Sequence, residues 1–224
     1  LIVPNNSTTY STSGATLTLK DGRKATATAK SATGYTTKFS SWSSASGTIT
    51  KATTVNANFT RTVNQYTATF NSNGGTTANP STIKKNYGQQ LGALPTTSRT
   101  GYTFKGWYTA ASGGTKIATT TTMPASNPTY YAQWTAHTYT IAFNGNGNTG
   151  GSTASMSMTY GTAKKLTTNG FTRTGYTFSS WNTKADGSGT TYANGASVNN
   201  LTATNGATVT LYARWTVNTL SLIH

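Results

Sequence analysis

The sequence repeats itself, so whatever it folds into must accommodate the same residues more than once. From Tyr66 the chain reads YTATFNSNGG, then YGQQL, then RTGYTFKGWYTAASGGTKI, and closes on YYAQWT at Thr135. From Tyr139 it reads YTIAFNGNGN, YGTAKKL, RTGYTFSSWNTKADGSGTTY, and closes on LYARWT at Thr216. Trp181 follows Trp107 by 74 positions, whereas the closing Trp215 follows Trp134 by 81. The later copy therefore carries an insertion before its last strand, expected around 195–207. A divergent copy precedes both. Residues 34–42, GYTTKFSSW, echo the GYTF-x-x-W core, and 55–60, VNANFT, stand where YYAQWT stands, with Phe59 in place of Trp. The three copies occupy 1–60, 66–135 and 139–216. The joining segments 61–65 and 136–137 are too short to be free linkers, which predicts restricted orientations between neighbours.

Each copy reads as strands and turns. Threonine makes up about a quarter of the chain, a β-branched residue suited to half-wet pleated strands. Glutamate is absent and the best helix formers are scarce, so little helix is expected. Residues 67–70 and 140–143 alternate polar and apolar side chains and run into Asn/Gly-rich turns at 71–75 and 144–147. In the last strand Tyr130 or Leu211, Ala132 or Ala213, and Trp134 or Trp215 fall on alternate positions, as a two-faced strand requires. The expected core is aromatic: Tyr35, Trp42 and Phe59 in the first copy, Phe70, Tyr102, Phe104, Trp107 and Trp134 in the second, and Phe143, Tyr176, Phe178, Trp181 and Trp215 in the third. Aromatics bury much area per residue, so a few can anchor a small core.

The charge is one-sided. Two carboxylates, Asp21 and Asp186, face 17 Lys and Arg, for a net +15 at neutral pH. Such a field favours anionic partners, among them anionic cell-wall polymers and sulfated glycans. The cations nevertheless come singly or in pairs (Arg23-Lys24, Lys84-Lys85, Lys164-Lys165), which also fits a plain solvated surface. Carbohydrate binding through Tyr108, Tyr131 or Tyr192 is a further reading. Nucleic acid is a weaker one, because the aromatics that would stack bases recur at fixed core positions in every copy. There is no cysteine, and therefore no disulfide or thiol chemistry.

The constellations that would carry catalysis are not assembled. Gly145-x-Gly147-x-x-Gly150 matches a dinucleotide fingerprint in form, but no helical pattern or acidic residue follows, and it reads as a hairpin turn. Asp21 and Asp186 each precede a glycine in different copies and read as turn formers rather than as an acid–base pair. His137 falls in a joining segment and His224 at the last position, without ligand spacing for a metal. Asp186-Gly-Ser-Gly resembles part of a calcium loop with too few carboxylates. The expectation is a non-enzymatic chain with no cofactor and no metal.

The order YTATFNSNGG, YGQQL, RTGYTFKGWYT, YYAQWT resembles the Listeria–Bacteroides repeat, also called the internalin B-repeat. The second and third copies carry its signature at nearly every position; the first lacks the NGG turn and the RTGYTF consensus. The resemblance implies small β-grasp-like modules in tandem, in secreted or wall-attached bacterial proteins, acting as spacer, stalk or adhesive segment. It implies neither catalysis nor a cofactor. An extracellular or bacterial cell-surface location is therefore expected, with further repeats, other copies of the chain, or wall glycans as partners.

After Thr216 the residues Val-Asn-Thr-Leu-Ser-Leu-Ile-His align with the joining segment and first strand of another copy. Leu220, Leu222 and Ile223 then read as an orphan strand at 217–224. It is either the start of a longer array or a strand that adds to a neighbouring molecule and links a filament. The opening residue Leu1 fits a processed or excised piece.

Overall fold

Threonine-rich alternating segments separated by Asn and Gly turns give strands throughout. The structure, a computed structural model, describes residues 2–3, 8–49 and 53–219 and contains 21 strands, with no helix among the described residues. Leu220, Leu222 and Ile223 lie outside the described residues. The chain is mainly β.

The first copy contains β1 (Ile2–Val3), β2 (Thr8–Ser13), β3 (Thr16–Leu19), β4 (Lys24–Thr26), β5 (Tyr35–Trp42), β6 (Ser46–Ile49), β7 (Thr53–Thr54) and β8 (Ala57–Val63). Its sheets are β4-β3-β2-β6, β5-β8 and β1-β7. The second contains β9 (Gln65–Asn71), β10 (Thr82–Asn86), β11 (Tyr102–Tyr108) and β12 (Thr129–Ala136), in the order β10-β9-β12-β11. The third contains β13 (Thr138–Asn144), β14 (Gly150–Gly151), β15 (Met156–Thr159), β16 (Lys164–Lys165), β17 (Phe171–Thr172), β18 (Tyr176–Asn182), β19 (Thr191–Tyr192), β20 (Ser197–Val198) and β21 (Thr208–Val217). Its main sheet runs β15-β13-β21-β18-β19. There the first and last strands, β13 and β21, lie side by side and parallel, with Phe143 opposite Leu211; the flanking pairs are antiparallel.

One strand pair recurs in all three copies: β5 with β8, β11 with β12, β18 with β21. Each is antiparallel and each is broken by a bulge after the phenylalanine, between Phe39 and Ser41, Phe104 and Gly106, and Phe178 and Ser180. The spacing F-x-x-W explains it. Residues three apart in a regular strand point to opposite faces, and one bulged residue between them restores a common face. The rings then meet, at 5.7 Å for Phe39 and Trp42, 5.6 Å for Phe104 and Trp107, and 5.0 Å for Phe178 and Trp181. Opposite them Trp42 pairs with Ala57, Trp107 with Ala132 and Trp181 with Ala213, so the divergent first copy shares the register of the others.

Burial follows the aromatic pattern only in part. Trp107, Trp181 and Phe70 are buried, and Trp181 sits among Tyr139, Ile141, Met158, Leu166 and Leu211. Trp42, Tyr102, Trp134, Phe143, Tyr176, Phe178 and Trp215 are half-buried. Tyr35, Phe59 and Phe104 are exposed, against the expectation that they belong to the core. Phe104 leans on Trp107 and Trp134, and Phe59 meets Phe39 edge-on, yet in each case solvent reaches the outer side of the ring. The first copy's small core is instead Tyr10, Leu17, Leu19 and Val55, with Trp42 packed against it.

The chain divides into two compact units. One combines Leu1–Phe70, Pro80–Pro95 and Ile117–Tyr130; the other combines Asn71–Asn79, Thr96–Lys116 and Tyr131–His224. The division passes through the second copy.

Candidate functional site

The Asn/Gly turn after the first strand of a copy ties down its last strand. Asn73 and Asn146 both adopt positive φ, at 46° and 50°. This left-handed conformation is open to asparagine because its short side chain can bond locally. The backbone N–H of Asn73 donates to Asn71 Oδ1, and that of Asn146 to Asn144 Oδ1. Their side-chain amides then donate twice each: Asn73 to the carbonyls of Ala111 and Ala132, Asn146 to those of Ala185 and Ala213. From the other side the closing tryptophans donate into the same turn, Trp134 to the Ser72 carbonyl and Trp215 to that of Gly145. Gly145 and Gly147 of the glycine pattern lie in this turn, but Gly150 belongs to β14, which pairs with β17, so the pattern is not a hairpin between consecutive strands.

The second recurring site joins one copy to the next. In the arginine–x–Gly–Tyr segments, the guanidinium of Arg99 lies 3.8 Å from the centroid of the Tyr102 ring, and that of Arg173 lies 3.9 Å from Tyr176. In the first copy Arg61 takes this place over Tyr35, at 5.2 Å. The glycine before each tyrosine has a left-handed backbone, with φ of +78° at Gly34, +75° at Gly101 and +77° at Gly175. Gly34 and Gly101 also lack a side chain for a second reason, because a Cβ there would collide with the ring of Tyr87 or Tyr160 respectively. Those rings belong to the Tyr-Gly turn of the following copy. They meet the receiving tyrosine edge-on, Tyr35 with Tyr87 at 5.9 Å and Tyr102 with Tyr160 at 5.8 Å.

The joining residue completes the contact with its backbone. Asn64 donates its N–H to the Gly34 carbonyl at 2.9 Å and accepts from the Tyr87 N–H at 2.8 Å. His137 does the same between Gly101 and Tyr160, at the same two distances. Side chains repeat the pattern: the Thr36 hydroxyl donates to Asn64 Oδ1, and Thr103 meets His137 Nε2. The first junction lies wholly in one compact unit and the second wholly in the other.

The segment before the last strand of the third copy folds onto the second junction. Asn200 accepts from the Gly161 N–H, the Ala203 carbonyl meets His137 Nδ1, and Asn205 accepts from the Thr138 N–H. A cleft of about 460 Å³ opens beside it, lined by Ser98, Arg99, Tyr102, Tyr160 and Asn200 among others.

The titratable residues are engaged one at a time. Asp21 pairs with Arg23 at 2.7 Å, and this hydrogen-bonded guanidinium holds its carboxyl below the ordinary range. Asp186 accepts the Ser188 N–H within its turn, and that bond lowers its carboxyl likewise. Beneath that turn the buried Asn182 uses its whole amide, donating to the carbonyls of Gly187 and Gly189 and accepting from two backbone N–H groups. Tyr108, Tyr131 and Tyr192 are half-buried.

The receiving tyrosines and the Asn/Gly-rich turns are legible in the sequence, whereas the contacts made by the glycines before those tyrosines and by Tyr87 and Tyr160 are not. R-T-G-Y and Y-G recur at matched positions in both full copies, and that recurrence is their signal in the sequence.

Copies that bond to the next through one repeated junction define a tandem-repeat protein, in which contacts run between neighbours along the chain. The chain belongs to the Listeria-Bacteroides repeat domain family, whose model matches residues 66–133 and 139–214. It is 36% identical over 155 residues to Internalin H of Listeria monocytogenes, covering 68% of this chain and 25% of that protein. Two proteins of Evansella cellulosilytica are also similar. One, provisionally named a membrane protein, is 30% identical over 163 residues, covering 71% of this chain and 24% of the relative. The other, provisionally named a Gly-rich membrane protein, is 34% identical over 134 residues, covering 56% and 15%. The chain thus spans about a quarter or less of the length of the curated relatives it matches. No helix among the described residues is long and apolar enough to cross a membrane.

Proposed function

We propose that the chain is a non-catalytic repeat region of a bacterial cell-surface protein, a spacer whose small β-grasp-like modules at 1–60, 66–135 and 139–216 are docked in series. The observation behind this reading is the junction. A free tether needs no contact between copies, whereas here a glycine, a ring and a backbone-bonded joining residue hold each copy to the next. The β-grasp-like part rests on the parallel central pair of first and last strands in the third copy. The absence of catalysis is supported by Asp21, Asp186 and His137, each bonded separately to its own neighbours.

Spin labels test the spacer reading in a chain that has no native cysteine. Cysteines introduced at the exposed Ser112 and Ala185 report the distance between the second and third copies. The expected distribution is narrow in the parent chain and broad once Tyr160→Ala removes the docked ring. A broad distribution in the parent would mean that the junction does not hold the copies, and the spacer reading would fall.

A further inference from the structure

The third copy carries the receiving half of the junction with no ring on it. Arg173 stacks over Tyr176 at 3.9 Å, as Arg99 does over Tyr102. Gly175 has φ of +77°, close to the values at Gly34 and Gly101. Asn218 occupies the place of Asn64 and His137: its N–H donates to the Gly175 carbonyl at 2.9 Å, and its side chain accepts from the Thr177 hydroxyl at 2.7 Å. What differs is the ring. Gly34 and Gly101 are buried, while Gly175 is exposed, and beyond its chain neighbours no described residue comes within 4 Å of a Cβ built there.

We propose that Gly175, Tyr176 and Asn218 form a docking site for the Tyr-Gly turn of a further copy of this repeat, joined in the same polypeptide as Tyr87 and Tyr160 are. The two occupied sites specify the occupant. It brings a tyrosine ring that stands edge-on to Tyr176 over the bare face of Gly175. The N–H of that tyrosine bonds the Asn218 carbonyl, as Tyr87 and Tyr160 bond Asn64 and His137. A glycine follows it with a left-handed backbone, as Gly88 and Gly161 have, at φ of +78° and +84°. At Gly161 a Cβ would also come 2.5 Å from the Tyr102 hydroxyl. The first copy of another molecule does not meet this description, because neither of its tyrosines, Tyr10 and Tyr35, is followed by a glycine. Only a copy of the second or third kind supplies the ring. The inference does not depend on whether the array acts as a spacer.

Alanine at Gly101 and Gly175 tests it, because the two share the same backbone strain and differ in what faces them. In the parent chain Gly101→Ala, which meets the Tyr160 ring, is expected to lower Tm by more than Gly175→Ala, which meets open space. The chain is then extended by joining residues 1–219 to a second copy of 139–219. There the Tm shift of Gly175→Ala is expected to grow to that of Gly101→Ala, and to shrink back when the added copy carries Tyr160→Ala. A shift that stays the same in the extended chain overturns the proposal. So does a parent chain in which Gly175→Ala already costs as much as Gly101→Ala, or one in which Gly175 is protected only through concentration-dependent association of separate molecules. Failure of Gly101→Ala to destabilise would instead strike at the junction reading behind the proposed function.

Discussion

The indole N–H of Trp134 donates to the carbonyl of Ser72 at 3.1 Å, so the last strand of the second copy is pinned to the turn that follows its first strand. Trp215 repeats the bond on Gly145 at 2.8 Å. The first copy has Phe59 at this position and no NGG turn, so the donor is missing where its acceptor is missing. Tryptophan here serves as a half-buried ring with one polar contact, and the polar contact explains why phenylalanine does not replace it in the two full copies.

Replacing Trp134 or Trp215 by Phe keeps most of the ring area and removes the bond. A neutral hydrogen bond of this kind contributes about 1 kcal/mol net; the half-buried Ser72 turn loses little more than that, whereas the Gly145 carbonyl lies in a buried residue and is left unpaired at about 1–3 kcal/mol. Trp134→Phe is therefore expected to destabilise the chain by about 1 kcal/mol in denaturant melts, and Trp215→Phe by about 1–3 kcal/mol. A loss of several kcal/mol would show that ring volume rather than the bond decides.

The aromatic code was only partly legible before the structure. Trp107 and Trp181 could be assigned to the core because they sit three residues after a strand phenylalanine and recur in each copy. Phe104 could not be told from them. Its exposure depends on whether anything covers the outer side of its sheet, which no local pattern records. The bulge that brings Phe104 and Trp107 to one face is implied by the spacing, but only once the strand pairing is known. The glycines of the junctions were invisible for a different reason. Gly101 reads as a turn residue, and the ring it receives comes from Tyr160, far along the chain.

Truncation separates the two classes of aromatic. Trp181 is fully buried among the apolar side chains of its copy, and its replacement by alanine is expected to cost about 3–5 kcal/mol, as large-to-small changes in cores do. Phe104 is exposed on one side and has less area to lose, so Phe104→Ala should cost clearly less, on the order of 1 kcal/mol. Chemical denaturation of both variants in the full chain checks the order. Equal costs would mean that Phe104 is covered in solution.

Acid should do little to this protein. Acid unfolding is driven mainly by carboxylates that are better stabilised in the folded state and must be protonated. The chain has two such side chains, Asp21 and Asp186, both held below the ordinary range, the first by Arg23 and the second by the Ser188 N–H. A lowered folded value contributes stability that is present above the unfolded value, near pH 4, and is lost as the pH falls through the folded one. Both groups are fully exposed, so the contribution is small. Thermal melts at pH 4 and pH 2 are expected to differ slightly, and to converge further in an Asp21→Asn, Asp186→Asn double variant. Cooperative acid unfolding of the parent between those values would require titrating groups other than these carboxylates.

Any attraction to polyanions should be diffuse and removed by salt. The net charge of +15 is carried by cations with no dense cluster in sequence. All five arginines are engaged locally: Arg23 with Asp21, Arg61 over Tyr35, Arg99 over Tyr102, Arg173 over Tyr176 and Arg214 on the Ala185 carbonyl. The adjacent pairs Lys84-Lys85 and Lys164-Lys165 lie in strands β10 and β16. Successive strand residues point to opposite faces, so neither pair makes a doubly charged patch. What is left is a field from separated surface charges, screened over about 8 Å at physiological ionic strength and about 3 Å at 1 M. The full chain is expected to bind a sulfated polysaccharide column at low salt and to elute well below 1 M sodium chloride. Single Lys→Ala variants at exposed positions should each move the elution point by a small and similar step. Retention at 1 M salt, or one lysine that accounts for most of the binding, would contradict the diffuse field and point to a shaped anion site.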